Sequence, residues 1–325
     1  MRRVPAQAIA LARHGLIRPG ADDTYADGDD STWMSVDWPA LTRPVEIDGS
    51  AVHVIDTGGD GPPILFIHGL GGTWQNWLLN IPAFMDAHRC IALDLPGFGQ
   101  SELPAGEISI QRYASIVDRV CDQLGVDCPV VVGNSMGGFV GAELALDNPT
   151  RVEKLVLVSA AGLSTEYVHR EPLIVAARLF GAATTRAGAV TDPVVKRRRL
   201  RRVFLQTVVR YPERLSVPLT YELVQGAGKQ GFVPALRGLL SYSFRERLAQ
   251  IEIPVLIVWG RNDMLVPVGD AERFRELIGA NARKVIFEDT GHVAMLERPG
   301  RFNELLAGFI AGEREPERGV EGVSA

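Results

Sequence analysis

Six predominantly apolar runs, PILFIHG, CIALDLP, PVVVGN, VEKLVLVSA, IPVLIVWG and RKVIFED, recur along the chain and constrain its fold more than any other feature. A strand with one wet face alternates apolar and polar residues. These runs do not, so both of their faces have to be covered, as in the central strands of a parallel sheet. The stretches between them, TWQNWLLNIPAFM, SIQRYASIVDRVCDQLG, GGFVGAELALDNP, GDAERFRELIGA and PGRFNELLAGFIAG, have helical periodicity and are bounded by caps, Gly or Pro. Strand and helix in alternation predict an α/β domain with a mostly parallel, doubly wound sheet of about eight strands and right-handed crossovers. VEIDGSAVHVIDTGG, residues 45–59, adds two short alternating segments about Asp48-Gly49, a dipeptide suited to a tight hairpin.

The rhythm stops over residues 163–247, where helical patterns take over, and resumes at Ile253. That segment is expected to be an insertion after the sixth strand, lying over the ligand crevice at the C-terminal edge of the sheet. The chain then divides into an N-terminal extension at 1–42, polar and Asp/Gly-rich around ADDTYADGDD, a core at 43–162 and 248–312, the insertion, and a flexible tail at 313–325.

With 46% hydrophobic and 22% charged residues, the 325-residue chain can bury a substantial core. A net charge of -5 gives no reason to expect nucleic acid as a partner. Cys90, Cys121 and Cys128 are too few and too unevenly placed for a disulfide framework or a metal site, and read as reduced structural residues. Arg13 and His14 cut short the apolar start, which argues against a signal peptide, and no run approaches the roughly 18 apolar residues of a membrane span. A soluble, cytoplasmic protein without integral membrane association is expected, with a homodimer left open. The one strong charge run, KRRRLRR at 196–202, reads as the solvated face of a helix, with contact to an anionic ligand or membrane surface as the alternative.

Directly after one apolar run and before a helix stands GNSMG, residues 133–137, of the form G-x-S-x-G. Glycines two before and two after allow strand and helix backbones to pass closely, and the sharp turn pushes the Ser135 hydroxyl into the open. Locally, Ser135 reads equally well as a simple helix N-cap. A nucleophilic serine needs a base, usually a histidine held by a carboxylate. His292, in the loop EDTGHVAMLERP, and Asp263, in WGRNDMLVP, supply both, and all three residues follow C-terminal strand ends on one edge of the sheet. Asp289 is the next carboxylate to consider. HGLGG, residues 68–72, follows another strand, and the backbone N–H groups of Leu70 and Met136 would make an oxyanion hole. His68 is expected to orient this loop, and Asp94, in DLPGFGQS, to hold a turn. Trp74 and Trp77 read as core or pocket wall, with Trp74 a candidate substrate contact.

HGLGG, DLPGFGQS, GNSMGG, WGRNDMLVP and DTGHVAMLERP, in this order and spacing from about Val45 to Gly312, resemble the α/β-hydrolase superfamily in its serine-nucleophile, esterase/lipase-like branch. The resemblance implies the α/β-hydrolase fold, with residues 163–247 as a helical cap. It implies that Ser135 attacks an acyl carbonyl, His292 moves the proton and Asp263 fixes the imidazole, with water releasing the acid. Neither a metal nor an organic cofactor is required, and the partner is a small apolar ester. Serine at the nucleophile position separates the chain from the dehalogenase and epoxide-hydrolase branches. The alternative within the serine branch is hydrolysis of a carbon–carbon bond in ring-fission products. Those enzymes typically carry an aromatic residue after the histidine, where this chain has Val293, and a polar Gly/Pro-rich loop after HG, where it has HGLGGTW. A non-catalytic ligand binder of the same fold is a further alternative. A nucleotide-binding protein is disfavoured, because Ser135 stands where G-x-G-x-x-G needs its second glycine and GAGKQG lacks the Ser or Thr of a P-loop.

Overall fold

The computed structural model describes residues 24–28, 30–164, 195–226 and 228–313. Residues 1–23 of the expected extension, 165–194 of the expected insertion and the expected tail from 314 onward lie outside the described residues. The strands are β1 (Val45–Ile47), β2 (Ser50–Val52), β3 (Val54–Asp56), β4 (Pro63–Ile67), β5 (Arg89–Leu93), β6 (Val130–Asn134), β7 (Lys154–Val158), β8 (Val255–Gly260) and β9 (Ala282–Phe287). The helices are α1 (Asp30–Met34), α2 (Ile81–Phe84), α3 (Ile110–Leu124), α4 (Met136–Asp147), α5 (Arg198–Leu205), α6 (Val217–Val224), α7 (Phe232–Ser241), α8 (Gly269–Ile278), α9 (Ala294–Glu297) and α10 (Pro299–Ile310).

β1 and β2 pair as the hairpin that Asp48-Gly49 predicts. Both turn residues have positive φ, 53° and 73°, as a tight two-residue turn matched to strand twist requires. The hairpin closes on itself as a separate two-stranded ribbon. After His53, whose N–H donates to Ser101 Oγ (2.8 Å), the chain leaves the ribbon and β3 joins the central sheet. The segment 45–56 therefore makes three short strands, and the strand anticipated as sixth is β7 in chain order.

The central sheet has seven strands in the order β3-β5-β4-β6-β7-β8-β9, and every pairing is parallel except β3 with β5. Its apolar runs are explained by burial on both faces. Leu65, Val131, Leu155 and Ile257 project into one core cluster, while their neighbours Ile64, Val130, Val156 and Leu256 project into another on the opposite face. Period-two alternation is present, but both of its phases are apolar. Cys90 and Cys121 are buried as free thiols, Cys90 Sγ donating to Ile81 O (4.0 Å), and burial pushes both up to about 12. α4 is buried from Met136 to Leu146. Its one buried carboxylate, Glu143, accepts from the Tyr242 hydroxyl (2.8 Å) and Arg247 Nη1 (2.8 Å), which offsets the cost of burying it.

The described part of the insertion is helical and lies along the edge where the parallel strands end. Gly231 N–H donates to Gly97 O (3.0 Å), and His292 N–H donates to Val208 O (2.9 Å). In the basic run, Arg197, Arg198, Arg199 and Arg202 are exposed, but Arg201 is turned inward and donates to Leu215 O (2.6 Å). Tyr25 and Trp33, upstream of the first strand, are buried against the body. No helix among the described residues is long and apolar enough to cross a membrane.

The β6–α4 junction is a tight backbone crossing beside Ser135. A Cβ on Gly133 would lie 2.3 Å from Gly137 O, and one on Gly137 would lie 2.2 Å from Ile67 O. Both obstacles are main chain and cannot swing away. Gly133→Ala is expected to cost about 3 kcal/mol or more, through overpacking that has no side-chain escape. A denaturant midpoint within error of the parent protein would contradict this account of the crossing.

Candidate active site

Ser135 joins β6 to α4 with φ 55° and ψ -117°, a conformation that L-residues avoid. Its side chain makes no capping hydrogen bond to the helix it precedes, so the N-cap reading does not describe this serine. Main-chain bonds hold the turn instead: Ser135 N–H donates to Val158 O (2.9 Å), and Ser135 O accepts from Ala161 N–H (3.0 Å) and Phe139 N–H (3.2 Å). The residue remains partly exposed among buried neighbours. A strained serine, fixed by its backbone and released from capping, has the geometry of a nucleophile elbow.

β6, β7, β8 and β9 are consecutive and parallel, so the loops after β6, β8 and β9 emerge on one edge. They carry Ser135, Asp263 and His292 respectively. His292 Nδ1 and Asp263 Oδ2 are 2.8 Å apart, with the His292 side chain 5% exposed and that of Asp263 fully buried. The other carboxylate oxygen, Oδ1, accepts from Leu265 N–H (2.8 Å) and Val266 N–H (2.9 Å), which fixes the carboxylate plane. With an acceptor at Nδ1, the proton of a neutral imidazole belongs there, leaving Nε2 free to accept one. Asn134 Nδ2 donates to His292 O (3.3 Å) and to Val158 O (3.1 Å), tying the serine turn to the histidine loop. Asp289 is turned elsewhere, accepting from the Tyr211 hydroxyl (2.7 Å) and lying 3.4 Å from Arg210 Nε.

The HGLGG loop is pressed against this turn: a Cβ on Gly69 would come within 3.0 Å of Ser135 Cβ. Leu70, next along, is partly exposed, and Met136, buried, is the first residue of α4. Its N–H is one of the four that an α-helix leaves without an intrahelical partner. His68 is fully buried; its Nε2 accepts from Leu95 N–H (2.9 Å), so its Nδ1 carries the proton and donates to Gly69 O (2.7 Å). Asp94 accepts from Trp74 N–H (2.9 Å) and Gln100 N–H (2.9 Å) and lies 3.2 Å from His53 Nδ1. Both residues organise the loops beside the serine, His68 the HGLGG loop and Asp94 the turn after β5.

Trp74 is buried in the core, with its ring 4.9 Å from that of Trp38. A cavity of about 440 Å³ opens nearby between the N-terminal segment (Trp33, Met34, Trp38) and the insertion (Val195, Val217, Tyr221), and none of Ser135, Asp263 or His292 lines it. Two residues bearing on the histidine loop are absent from the sequence expectations. Glu297 accepts from Gly291 N–H (3.0 Å), and Asn134 contacts the loop as described above. The first stands in the quoted motif GHVAMLERP, and nothing short of the fold shows what it holds.

Comparison with known proteins agrees with this fold. The sequence model of the alpha/beta hydrolase fold matches residues 62–299. The chain is 33% identical over 281 residues to a dihydrolipoyllysine-residue acetyltransferase component of the acetoin cleaving system from Cupriavidus necator, covering 82% of this chain and 68% of that protein. It is 31% identical over 271 residues to a 2-hydroxy-6-oxo-6-phenylhexa-2,4-dienoate hydrolase from Comamonas testosteroni, covering 78% and 88%. Among solved structures, a membrane phospholipase A described as a bacterial virulence factor superposes with a TM-score of 0.66 at 27% identity, covering 83% of this chain and 86% of that one.

Burial pushes the His68 imidazole below its ordinary value, with the Asp94 carboxylate and the Gly69 carbonyl opposing. Below about pH 6.5, where an unfolded histidine takes up its proton, the folded protein keeps this ring neutral. Its stabilising contribution is therefore complete above that pH and is lost as pH falls. Unfolding free energy is expected to drop between pH 7 and pH 5, with up to about 1.4 kcal/mol per unit coming from this one group. His68→Gln should show a shallower slope over the same range. Parallel slopes in urea titrations of the two proteins would remove His68 from the account.

Proposed function

The chain belongs to the alpha/beta hydrolase fold family, and from that premise we propose that it is a serine hydrolase of carboxylic esters working through an acyl-enzyme. The observation that carries the reading is the strained, uncapped Ser135 on the same sheet edge as a His292–Asp263 pair at 2.8 Å. His292 Nε2 takes the proton of Ser135 as its Oγ attacks the acyl carbonyl, and Asp263 stabilises the imidazolium without accepting its proton. The N–H groups of Leu70 and Met136 receive the developing oxyanion, each donor of this kind contributing about 3 kcal/mol to the transition state. His292 then protonates the departing alcohol. In the second half, it activates water, which attacks the acyl-enzyme and releases the acid. By resemblance to the family, residues 163–247 act as a helical cap over this edge and shape the acyl and alcohol pockets.

Carbon–carbon hydrolysis is the second reading, favoured by the likeness to the dienoate hydrolase from Comamonas testosteroni. Against it stand two features. His292 is followed by the buried Val293 rather than an aromatic residue. A dienoate also carries a carboxylate that needs a cation, and two cations that border the His292 loop among the described residues are engaged: Arg210 by Asp289, and Arg298 by Thr290 and Thr24.

Fluorophosphonate labelling of the purified protein is expected to require Ser135, with Ser135→Ala folded but unlabelled. A panel of p-nitrophenyl esters of increasing chain length should be turned over by the parent protein. Turnover of a dienoate ring-fission product without ester turnover would transfer the assignment to the second reading. Asp263→Asn is expected to lower kcat by about three to four orders of magnitude through loss of the imidazole tautomer. Asp289→Asn should leave it within a few-fold. The reverse ranking would show that the carboxylate has been misassigned.

A further inference from the structure

Beneath the His292 loop lies a carboxylate that the proposed chemistry does not use. Glu297, the last residue of α9, is fully buried. Its two oxygens accept from Gly291 N–H (3.0 Å to each), and Oε1 accepts from Val293 N–H (3.3 Å), so both residues flanking His292 are bound to it. Oε2 also accepts from Arg210 N–H (2.9 Å), in the insertion, and from the Tyr25 hydroxyl (2.7 Å), in the N-terminal segment. Tyr25 Oη in turn accepts from Tyr211 N–H (2.8 Å). Three parts of the chain that are remote in sequence thus converge on one carboxylate.

The N-terminal contribution is more than a single hydrogen bond. Ala26 N–H donates to Glu297 O (2.7 Å), and Arg298 Nη1 donates to Thr24 Oγ1 (2.7 Å). The Tyr25 ring packs edge-on to Tyr211 at 5.1 Å, with the guanidinium groups of Arg214 and Arg298 at 5.6 and 5.5 Å from its centre. Burial and the neighbouring carboxylate push the phenol far above its ordinary value, so Tyr25 stays a donor. Burial also raises the Glu297 carboxyl, while the donors around it pull the other way.

We propose that Glu297 and Tyr25 are positioning residues for His292, so that residues 24–28, upstream of the 62–299 region shared with the family, complete the active site. The proposal rests on His292 being the proton acceptor. Two routes lead from Tyr25 to the histidine. One runs through Glu297 to the N–H groups of Gly291 and Val293. The other runs through Tyr211 N–H to the strap 208–211, whose Val208 carbonyl accepts from His292 N–H (2.9 Å). Loss of the hydroxyl removes one donor from the carboxylate and strands the Tyr211 N–H, and both errors reach the backbone that aims the imidazole.

The test is Tyr25→Phe and Glu297→Gln in the full chain, with kcat and KM for a p-nitrophenyl ester normalised to active sites titrated by the fluorophosphonate. Tyr25→Phe is expected to lower kcat per titrated site about tenfold with KM within about twofold, a displacement of under an ångström being enough for such a loss. Glu297→Gln, which turns an amide donor toward backbone N–H groups, should lose more. A lower melting temperature with kcat per site unchanged in Tyr25→Phe would make the contact purely structural and overturn the proposal. If Glu297→Gln fails to fold, Tyr25→Phe decides alone. Failure of the parent protein to label at Ser135 would instead remove the hydrolase reading, and this proposal with it.

Discussion

The site depends on one backbone conformation that a serine does not adopt willingly. A non-glycine residue at φ 55° and ψ -117° stores on the order of 1–3 kcal/mol and persists only where its surroundings leave no alternative. Here the surroundings are main chain. Gly133 and Gly137 let β6 and α4 cross with the end of β4 wedged beside them, and Gly69 lets the next loop lie against Ser135 Cβ. Each missing side chain is a distance that Ser135 and the HGLGG loop do not have to span. Strand register does the rest: β4 pairs Ile67 with Gly133 of β6, so the HGLGG loop and the serine leave the sheet side by side.

Asp263, Asp94 and His68, around the turn, follow one rule of economy: each is bonded by backbone, whatever side chain it also meets. Asp263 takes two N–H groups on one oxygen and His292 on the other. Asp94 takes Trp74 and Gln100, and His68 bridges Leu95 and Gly69. Main-chain donors are fixed by the fold and cost no side-chain entropy at the moment of reaction. The same rule fixes tautomers. His68 is committed at both nitrogens and has none left for proton transfer, whereas among the described residues His292 has a ring partner only at Nδ1. Two histidines following strands of one sheet are thereby given different work.

How much of this was legible in the sequence depends on the range of the interaction involved. The hairpin at Asp48-Gly49 and the doubly covered strands are local or periodic signals, and they stand in the structure where the residues put them. The candidates Ser135, Asp263 and His292 could be named because strand ends precede them, and a parallel sheet carries strand ends to one edge. What was not legible is long-range. Whether Ser135 caps its helix is decided by main-chain bonds from Val158 and Ala161. That Arg201 points inward, out of an otherwise exposed basic run, depends on Leu215 O. Glu297 looks like an ordinary acidic residue near a helix start until Gly291, Arg210 and Tyr25 are seen around it.

Ester and carbon–carbon hydrolysis differ less in this site than their names suggest. In both, an acyl group is left on or beside the serine and water removes it. What differs is the group that departs, an alkoxide oxygen or a carbanion that has to be protonated at carbon. In the proposed mechanism the elbow and the HGLGG loop would serve the acyl half alone, while His292 would also have to reach the leaving group. Discrimination would then belong to whatever faces the leaving group, and among the described residues the segment 195–247 reaches that edge through the strap 208–211 and the Gly231–Gly97 contact. Because the strap is also bonded to His292 and, through Tyr211 and Glu297, to Tyr25, the part of the chain that would choose the leaving group is mechanically continuous with the part that would protonate it.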